Sequence, residues 1–212
     1  MIKSIETRYA GCHFRSRLEA RWAVFFDRLG TKWEYEQQGY IVGGWDPPAD
    51  IAQQSPAVAG RPYLPDFWLP VEQLWVEVKG SEADLDHGLI LDAVITHWGL
   101  PATSRGDKYR MLVLGPVPRP GGRVAHSILQ FYKGDVNRDW AEFGIAGLSI
   151  ASRRNRSLNL NPDWLGGDSG EVAKPDPGLV DTAYLPGTPG EFVTDAYTAA
   201  RSARFEHGQS GA

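Results

Sequence analysis

Apolar residues recur along the chain with two different periods, and these periods predict helices and strands in one fold. Over residues 16–29 they return every three or four positions, which is typical of an amphipathic helix, and Gly30 follows as a stop signal. Residues 63–69 and 73–79 are rich in aromatic and β-branched side chains, which predicts two strands joined by a short turn. The first part of the chain therefore predicts a helix followed by a hairpin.

The remaining segments repeat the two periods more weakly. They predict strands over residues 32–37, 109–114 and 145–151, and helices over residues 84–98, 124–132 and 192–205. Two segments rich in glycine and proline, 39–62 and 166–190, lack clear periodicity and predict a surface loop and a linker. This order indicates an α/β fold with a mixed central sheet flanked by helices.

The domain organisation follows from the length and from these breaks. A chain of 212 residues can bury one good core, which fits one domain with an appendage better than two full domains. We therefore predict one domain over residues 1–156, an acidic Gly/Pro-rich linker over residues 157–190, and a C-terminal helix and tail over residues 191–212.

Composition and charge narrow the class of protein. Hydrophobic residues make up 42% of the chain and charged residues 23%, which is typical of a globular protein. The net charge of −4, taken alone, argues against nucleic-acid binding. The charge is uneven, however, because residues 1–30 hold six bases and three acids, whereas residues 157–200 hold one base and seven acids. A DNA-facing surface is expected in the N-terminal segment.

The sequence indicates neither secretion nor insertion into a membrane. Its first residues contain no apolar signal segment, and no run of 18 apolar residues occurs. Cys12 is the single cysteine, so it has no partner for an internal disulfide or for a typical zinc site. We expect a cytoplasmic protein.

Three charged residues of the predicted hairpin are candidate catalytic or metal-binding residues. Alternate residues of a strand share a face, so Glu77 and Lys79 point to the same side. If residues 71–72 form the turn, Asp66 lies directly opposite Glu77, with Cβ atoms about 5 Å apart. Two carboxylates this close favour a shared cation, and Mg²⁺ commonly binds one or two protein carboxylates plus phosphate oxygens. Lys79 would then orient or deprotonate a water and stabilise charge on phosphorus.

These charges also have an ordinary explanation. Glu77 and Lys79 alone are typical of exposed charges on a surface strand, and Asp66 follows a proline, as in many turns. Together the three residues favour a catalytic role over ordinary surface charges, because Asp66 stands eleven positions before Glu77 and both lie among apolar strand residues.

Glu19 is the fourth candidate, and it has two competing interpretations. Ser16 and Glu19 have the spacing of a helix capping box, in which the glutamate bonds back to the start of the helix. Glu19 also lies on the helix edge shared with Trp22 and Phe26, the side expected to pack on the sheet. We favour a role in the metal site, because this edge directs the carboxylate towards the hairpin.

The motifs of this region resemble one known class of enzymes. They are Arg15-Ser16-Arg17-Leu18-Glu19, Trp33-Glu34-Tyr35-Glu36, Tyr63-Leu64-Pro65-Asp66-Phe67-Trp68-Leu69-Pro70 and Trp75-Val76-Glu77-Val78-Lys79-Gly80. The pattern is similar to that of the PD-(D/E)xK nuclease superfamily, and within it to phage junction-resolving endonuclease I and to the endonuclease subunit of heteromeric cut-and-paste transposases. The resemblance covers residues 14–115, with a longer segment between Glu36 and Tyr63 than the family pattern has.

The resemblance implies a restriction-endonuclease-like core and a metal-dependent DNA endonuclease. It implies that Glu19, Asp66 and Glu77 bind Mg²⁺, or Mn²⁺ in its place, and that Lys79 is the catalytic cation. We also expect the backbone carbonyl of Val78 to be a metal ligand.

The implied partner is DNA, which basic residues near the first helix are expected to contact. Arg15, Arg17 and Arg21 are the expected phosphate contacts. The substrate would be branched or structured DNA, such as a four-way junction, in a phage or mobile-element context inside a bacterial or phage-infected cell. Junction resolution needs two opposed nicks, so we expect a homodimer. Sequence-specific cleavage of the restriction or transposon-end kind, and a catalytically silent DNA-binding or assembly protein, are the two alternatives.

Overall fold

The computed structural model describes residues 5–44, 57–81, 84–94, 99–101, 109–119, 126–132, 140–150, 158–163 and 190–205. Within these ranges the chain forms eleven strands and three helices. The strands are β1 (Thr7–Tyr9), β2 (Cys12–Phe14), β3 (Glu34–Tyr35), β4 (Tyr40–Val42), β5 (Arg61–Tyr63), β6 (Phe67–Leu69), β7 (Leu74–Val78), β8 (Tyr109–Leu114), β9 (His126–Tyr132), β10 (Trp140–Ile150) and β11 (Leu158–Asp163). The helices are α1 (Arg17–Leu29), α2 (His87–Val94) and α3 (Glu191–Ser202).

The central sheet has seven strands in the order β11-β10-β9-β8-β7-β6-β3. The pair β7 and β8 is parallel, with α2 between the two strands in the chain, whereas the other neighbouring pairs are antiparallel. A parallel pair needs such a crossover because a tight turn reverses the direction of the chain. Two strand pairs, β1–β2 and β4–β5, form small separate sheets. The predicted mixed α/β fold is confirmed at this level.

Apolar side chains pack on both faces of the central sheet. On one face, α1 and α3 cover residues that include Val76 and Leu112. On the other face, α2 and the β4–β5 pair cover Trp75, Met111 and Val113. Strand alternation explains this division, because neighbouring residues such as Trp75 and Val76 point to opposite sides. The sheet is therefore flanked by helices, as predicted.

Helix α1 forms where the sequence predicts it. Ser16 caps its start, because the Ser16 hydroxyl oxygen accepts a hydrogen bond of 3.2 Å from the Glu19 amide. Gly30 ends it in a left-handed conformation with φ of 77°, which is strained for residues that carry a Cβ. Trp22 and Phe26 are fully buried on its inner side.

Helix α3 confirms the predicted last helix and packs directly on α1. The Tyr197 ring stacks on Phe25 with 4.7 Å between the ring centroids. Val193 and Ala200 are buried in the same core as α1. The apolar side of α3 is therefore covered within the chain. The expected homodimer stays a prediction.

The segment predicted as a linker begins inside the central sheet. Strand β11 lies at residues 158–163 and pairs antiparallel with β10. Residues 164–189 lie outside the described part of the chain. The division of the chain near residue 156, like the restriction-endonuclease-like character of the core, stays a prediction.

The predicted strand over residues 63–69 is two strands in two different sheets. Strand β5 ends at Tyr63 and pairs with β4, whereas β6 begins at Phe67 and pairs with β7. Pro65 lies between them, and proline has no N–H to donate to a strand ladder. The predicted loop over residues 39–62 is wrong at both ends, because β4 and the first residues of β5 lie there; residues 45–56 are outside the described part.

The predicted helix over residues 124–132 is wrong, because residues 126–132 form β9 between β8 and β10. Ile128 and Leu129 are both buried, one on each face of the sheet. Adjacent apolar residues there reflect a strand covered on both sides rather than a helical period. The predicted last strand over residues 145–151 is the second half of β10, and β11 follows it.

Three further predicted elements are present in the structure, two with different bounds and one with the predicted bounds. The strand predicted over residues 32–37 is limited to β3, which ends before Glu36, whose φ is 43°. Helix α2 starts at His87 rather than residue 84, because the Asp86 side chain accepts a hydrogen bond of 2.9 Å from the Leu89 amide and caps it. Strand β8 has the predicted bounds. No helix within the described ranges is long and apolar enough to cross a membrane.

Candidate active site

The hairpin register places Asp66 beside β7, as the sequence predicts. Phe67 pairs with Val76, so continuing the ladder by one residue puts Asp66 opposite Glu77. The connecting turn covers the four residues 70–73 instead of the two that were predicted. The register is the same in both cases, because the longer turn is centred on the same position.

The Asp66 side chain is anchored on the backbone of β7. Its Oδ2 atom accepts a hydrogen bond of 2.7 Å from the Val78 amide, and its backbone carbonyl accepts one of 2.9 Å from the Glu36 amide. Asp66 is only 3% exposed. The break between β5 and β6 thus leaves Asp66 outside the strand ladder, where its carboxylate bonds to the neighbouring strand.

Glu77 and Lys79 lie on the same side of β7, in agreement with strand alternation. Glu77 is 4% exposed, and both of its carboxylate oxygens have partners. Its Oε1 atom lies 2.6 Å from Lys79 Nζ, and its Oε2 atom accepts a hydrogen bond of 2.7 Å from the Tyr63 hydroxyl. Lys79 and Tyr63 therefore hold the Glu77 carboxylate from two sides.

Glu19 is part of the α1 cap and also part of the acidic cluster. Its Oε1 atom accepts a hydrogen bond of 2.6 Å from the Ser16 hydroxyl. Its Oε2 atom accepts one of 2.5 Å from the Tyr35 hydroxyl and one of 3.2 Å from the Arg15 amide. The two interpretations of Glu19 are therefore compatible, because the bonds that start the helix also fix the carboxylate in place.

Arg15 joins these acids from the surface. Its Nη2 atom lies 2.9 Å from Asp66 Oδ1, and its Nε atom forms an ion pair with Glu36. The Arg15 side chain is 57% exposed. The sequence marks Arg15 as a DNA contact, and the structure shows it bound to Asp66.

Burial and neighbouring charge raise the pKa of Asp66 to about 8. Loss of solvation is the largest cause, followed by repulsion from Glu77, and Glu19 acts in the same direction. The hydrogen bond from the Val78 amide and the charge of Lys79 lower the pKa and offset part of this rise. Glu77 and Glu19 are thus close enough to Asp66 to affect the ionisation of Asp66.

The site carries more acidic than basic groups. Among the described residues that make these contacts, four carboxyl groups meet two cations. The carboxyl groups belong to Glu19, Glu36, Asp66 and Glu77, and the cations are Arg15 and Lys79. Such a surplus of buried acid favours a bound cation.

The protonation of Lys79 limits its possible role. Partial burial lowers the pKa of Lys79, but attraction to Glu77 and Asp66 outweighs burial and raises the pKa above its ordinary value. Lys79 is therefore protonated at neutral pH. In this state it can act as a fixed positive charge or a proton donor, but not as a base.

The donor set suits a hard divalent cation, because it consists of carboxylates without imidazole or thiolate. Within the described ranges, no group of three or more His, Cys, Asp or Glu side chains is arranged to hold a metal ion as it stands. Oxygens of all three carboxylates are directed at donors of the protein, namely Arg15, Lys79 and Tyr35. The ligand atoms are therefore of the type that Mg²⁺ prefers. The role of the Val78 carbonyl as a metal ligand stays a prediction.

Arg17 and Arg21 lie on a different face of α1 from Glu19. Each is two positions from Glu19, which on a helix corresponds to a rotation of about 200°. Both side chains are half-buried. The structure therefore brings Arg15 to the acids, whereas contact of Arg17 and Arg21 with DNA stays a prediction.

Sequence reasoning missed the contacts of Tyr35 and Tyr63. Burial, followed by the charge of Glu77, raises the pKa of Tyr63 well above its ordinary value, so its hydroxyl stays a hydrogen-bond donor. Both tyrosines stand within the motifs that carry the nuclease resemblance, which is the signal that points to them. An aromatic residue in a strand is otherwise most simply read as part of the core.

Comparisons with known proteins gave no match. No protein-family model, no curated protein and no solved structure matches this chain. A function for the protein therefore rests on its motifs and on the contacts of the residues described above.

Proposed function

We propose that this protein is a metal-dependent DNA endonuclease. The observation that carries the proposal is the Asp66 carboxylate, which is buried, bonded to the Val78 amide and close enough to Glu77 and Glu19 to be affected by their charge. A buried carboxyl group with a pKa raised to about 8 is typical of functional sites. Hydrolysis of a phosphodiester bond uses this arrangement, because a divalent cation offsets the repulsion and binds the phosphate.

The residues of the site have separate roles in this proposal. Asp66, Glu77 and Glu19 would hold Mg²⁺, which when bound supplies Lewis-acid stabilisation to phosphate oxygens and makes water more acidic. Lys79 is protonated beside Glu77 and stabilises the negative charge that develops on the phosphate in the transition state. Tyr63 keeps Glu77 in position through its hydroxyl.

DNA is the proposed substrate because of the nuclease resemblance and the charge of the first part of the chain. Residues 1–30 contain six bases and three acids, and Arg15 lies at the mouth of the site with an exposed side chain. We propose branched DNA, such as a four-way junction, as the preferred substrate, in a phage or mobile-element context. A sequence-specific endonuclease and a catalytically silent DNA-binding protein are the alternatives.

A panel of labelled DNA substrates tests this proposal. The panel contains linear duplex, single strand, flap and four-way junction, each with Mg²⁺, Mn²⁺ or Ca²⁺. We expect cutting with Mg²⁺ and Mn²⁺, fastest on the branched substrates, and binding without cutting in Ca²⁺. Cutting of one duplex sequence in preference to junctions would favour the restriction or transposon-end alternative.

Two matched variants control the panel. Asp66→Ala should abolish cutting, because it removes the central carboxylate of the cluster. Glu34→Gln removes an exposed carboxylate from β3 and should cut as the wild-type protein does. Wild-type cutting by Asp66→Ala would exclude Asp66 from the active site, and binding without cutting under every metal would favour the silent alternative.

A further inference from the structure

The two oxygens of the Asp66 carboxylate have different kinds of partner. Oδ2 is held by the backbone, through the hydrogen bond of 2.7 Å from the Val78 amide. Oδ1 is held by a side chain, because Arg15 Nη2 lies 2.9 Å from it. A backbone amide within a sheet is fixed, whereas a long side chain can change its rotamer. Oδ1 is therefore the oxygen that a cation can reach by replacing its present partner.

Two sets of contacts hold Arg15 near the site even when its guanidinium group leaves Asp66. Its backbone amide is anchored on Glu19 Oε2 and on the Tyr35 hydroxyl, at 3.2 and 3.1 Å. Its guanidinium group also forms an ion pair with Glu36, which is not among the expected metal ligands. Glu36 thus offers Arg15 a second acid within reach.

We propose that Arg15 is a built-in countercation that competes with the divalent metal ion for Asp66 Oδ1, and that Glu36 retains Arg15 when the metal is bound. This inference rests on the proposed function, because it concerns the same metal site. In the metal-free protein the guanidinium group offsets part of the negative charge of the acidic cluster. A metal ion that binds Asp66 Oδ1 replaces the guanidinium group there.

Screening by solvent limits how much Arg15 can weaken the binding of the metal ion to Asp66. The Arg15 side chain is 57% exposed, so its ion pair with Asp66 is screened on one side. The bond is charge-assisted and ends on a buried carboxylate, which makes it stronger than an exposed pair. We expect removal of the guanidinium group to tighten metal binding by about threefold to tenfold.

Calorimetric titration of the full chain with Mn²⁺, without DNA, tests the competition. Arg15→Gln should bind Mn²⁺ about threefold to tenfold more tightly than the wild-type protein. Arg28→Gln removes the same charge from an exposed position at the other end of α1, about 14 Å from Glu19 along the helix, and should bind as the wild-type protein does. Arg15→Lys keeps a charge but not the fork that reaches two acids, so its affinity should lie between those of wild type and Arg15→Gln.

Glu36 is a positioning residue in this proposal, and its effect must pass through Arg15. Glu36→Gln should weaken Mn²⁺ binding, because Arg15 then has Asp66 as its remaining acid in this pair of contacts. In the double variant with Arg15→Gln this loss should shrink, which is the non-additivity expected of residues that act through one another. Losses of the same size in both backgrounds would overturn the role of Glu36.

The outcomes separate this inference from the proposed function. Equal or weaker Mn²⁺ binding by both Arg15→Gln and Arg15→Lys would overturn the competition and leave the metal site intact. The same holds if Arg28→Gln tightens binding as much as Arg15→Gln, because the effect would then be general charge. If neither the wild-type protein nor any variant binds Mn²⁺, the proposed metal site itself is wrong.

Discussion

The Tyr63 hydroxyl donates a hydrogen bond of 2.7 Å to Glu77 Oε2, at a place where both side chains are buried. Tyr63 ends β5 in the small β4–β5 sheet, whereas Glu77 lies on β7 of the central sheet. The bond therefore joins the two sheets at the candidate active site. The small sheet contributes to the site by fixing one of its acids.

Tyr63→Phe should destabilise the protein without abolishing cleavage. The substitution removes one of the donors to a buried carboxylate, and a lost bond to a charged, buried group costs about 1–3 kcal/mol. We expect the free energy of unfolding, measured with urea, to fall by that amount. Cleavage should become slower but stay measurable, because Glu77 keeps its contact with Lys79.

Tyr40→Phe is the matched control for this prediction. Tyr40 lies on β4, its side chain is half-buried, and its hydroxyl bonds to the Gln38 side chain rather than to a carboxylate of the site. We expect a loss within about 0.5 kcal/mol. An equal loss in the two variants would show that the bond to Glu77 contributes no more to the free energy of unfolding than the bond of Tyr40 does.

Lys79→Ala should separate chemistry from DNA binding. The variant loses the cation proposed to stabilise the transition state, so its single-turnover cleavage rate should fall at least about 100-fold. It should still bind DNA in Ca²⁺, with somewhat lower stability because Glu77 loses a partner at 2.6 Å. The exposed Lys32 gives the matched control, Lys32→Ala. A Lys79→Ala rate within about tenfold of wild type, roughly 1.4 kcal/mol of barrier, would contradict the assigned role.

Asp66→Asn should make the metal-free protein more stable at neutral pH while ending cleavage. The pKa of Asp66 is raised from 3.8 to about 8, so between these values the folded state holds a proton that the unfolded state releases. The unfolded state gains from this release, and stability contributed by Asp66 is lost as the pH rises from 4 to 8. Asparagine has no proton to release, so the variant should be less sensitive to pH in this range.

Thermal melting from pH 5 to 8 checks this prediction, with and without Mn²⁺. The melting temperature of Asp66→Asn relative to wild type should rise with pH, and Mn²⁺ should stabilise the wild-type protein much more than the variant. A difference between the two proteins that does not change with pH would contradict the raised pKa of Asp66.

Local pattern is sufficient to predict the parts of the fold that depend on neighbouring residues. Helix α1 has its cap, its period and its stop signal within residues 16–30, and all three are visible in the sequence. The hairpin register follows from the position of the turn, and it places Asp66 beside Glu77 as predicted. The three central candidates therefore come from short-range information.

Contacts between distant residues account for what the sequence did not predict. Nothing near Arg15 indicates that its guanidinium group lies on Asp66, because the contact joins two loops that only the fold brings together. The error at β9 has a similar cause, since a strand covered on both faces loses the alternation that identifies strands. Burial on two sides, rather than propensity, decides the structure of residues 126–132.

His126 is a buried histidine outside the candidate site, at the contact between β9 and the helices. Its Nε2 atom lies 2.7 Å from the Tyr197 hydroxyl of α3, and its ring meets the Trp22 ring of α1 edge to face. Loss of solvation lowers the pKa of His126 from 6.5 to about 4. The neutral form is therefore the one that fits between α1, α3 and the sheet.

This burial predicts a loss of stability in acid that His126→Gln should remove. Between pH 4 and 6.5 the unfolded state binds a proton at His126 that the folded state does not, so the stability contributed by His126 falls as the pH falls through this window. The full effect is roughly 3 kcal/mol.

Asp66 contributes the opposite slope over part of the same range, so the quantity to measure is the difference in unfolding free energy between wild type and His126→Gln at each pH. Glutamine can bond to Tyr197 but does not titrate, and the difference should therefore shrink steadily from pH 7 to pH 4. Parallel curves for the two proteins would show that His126 is protonated equally in the folded and unfolded states.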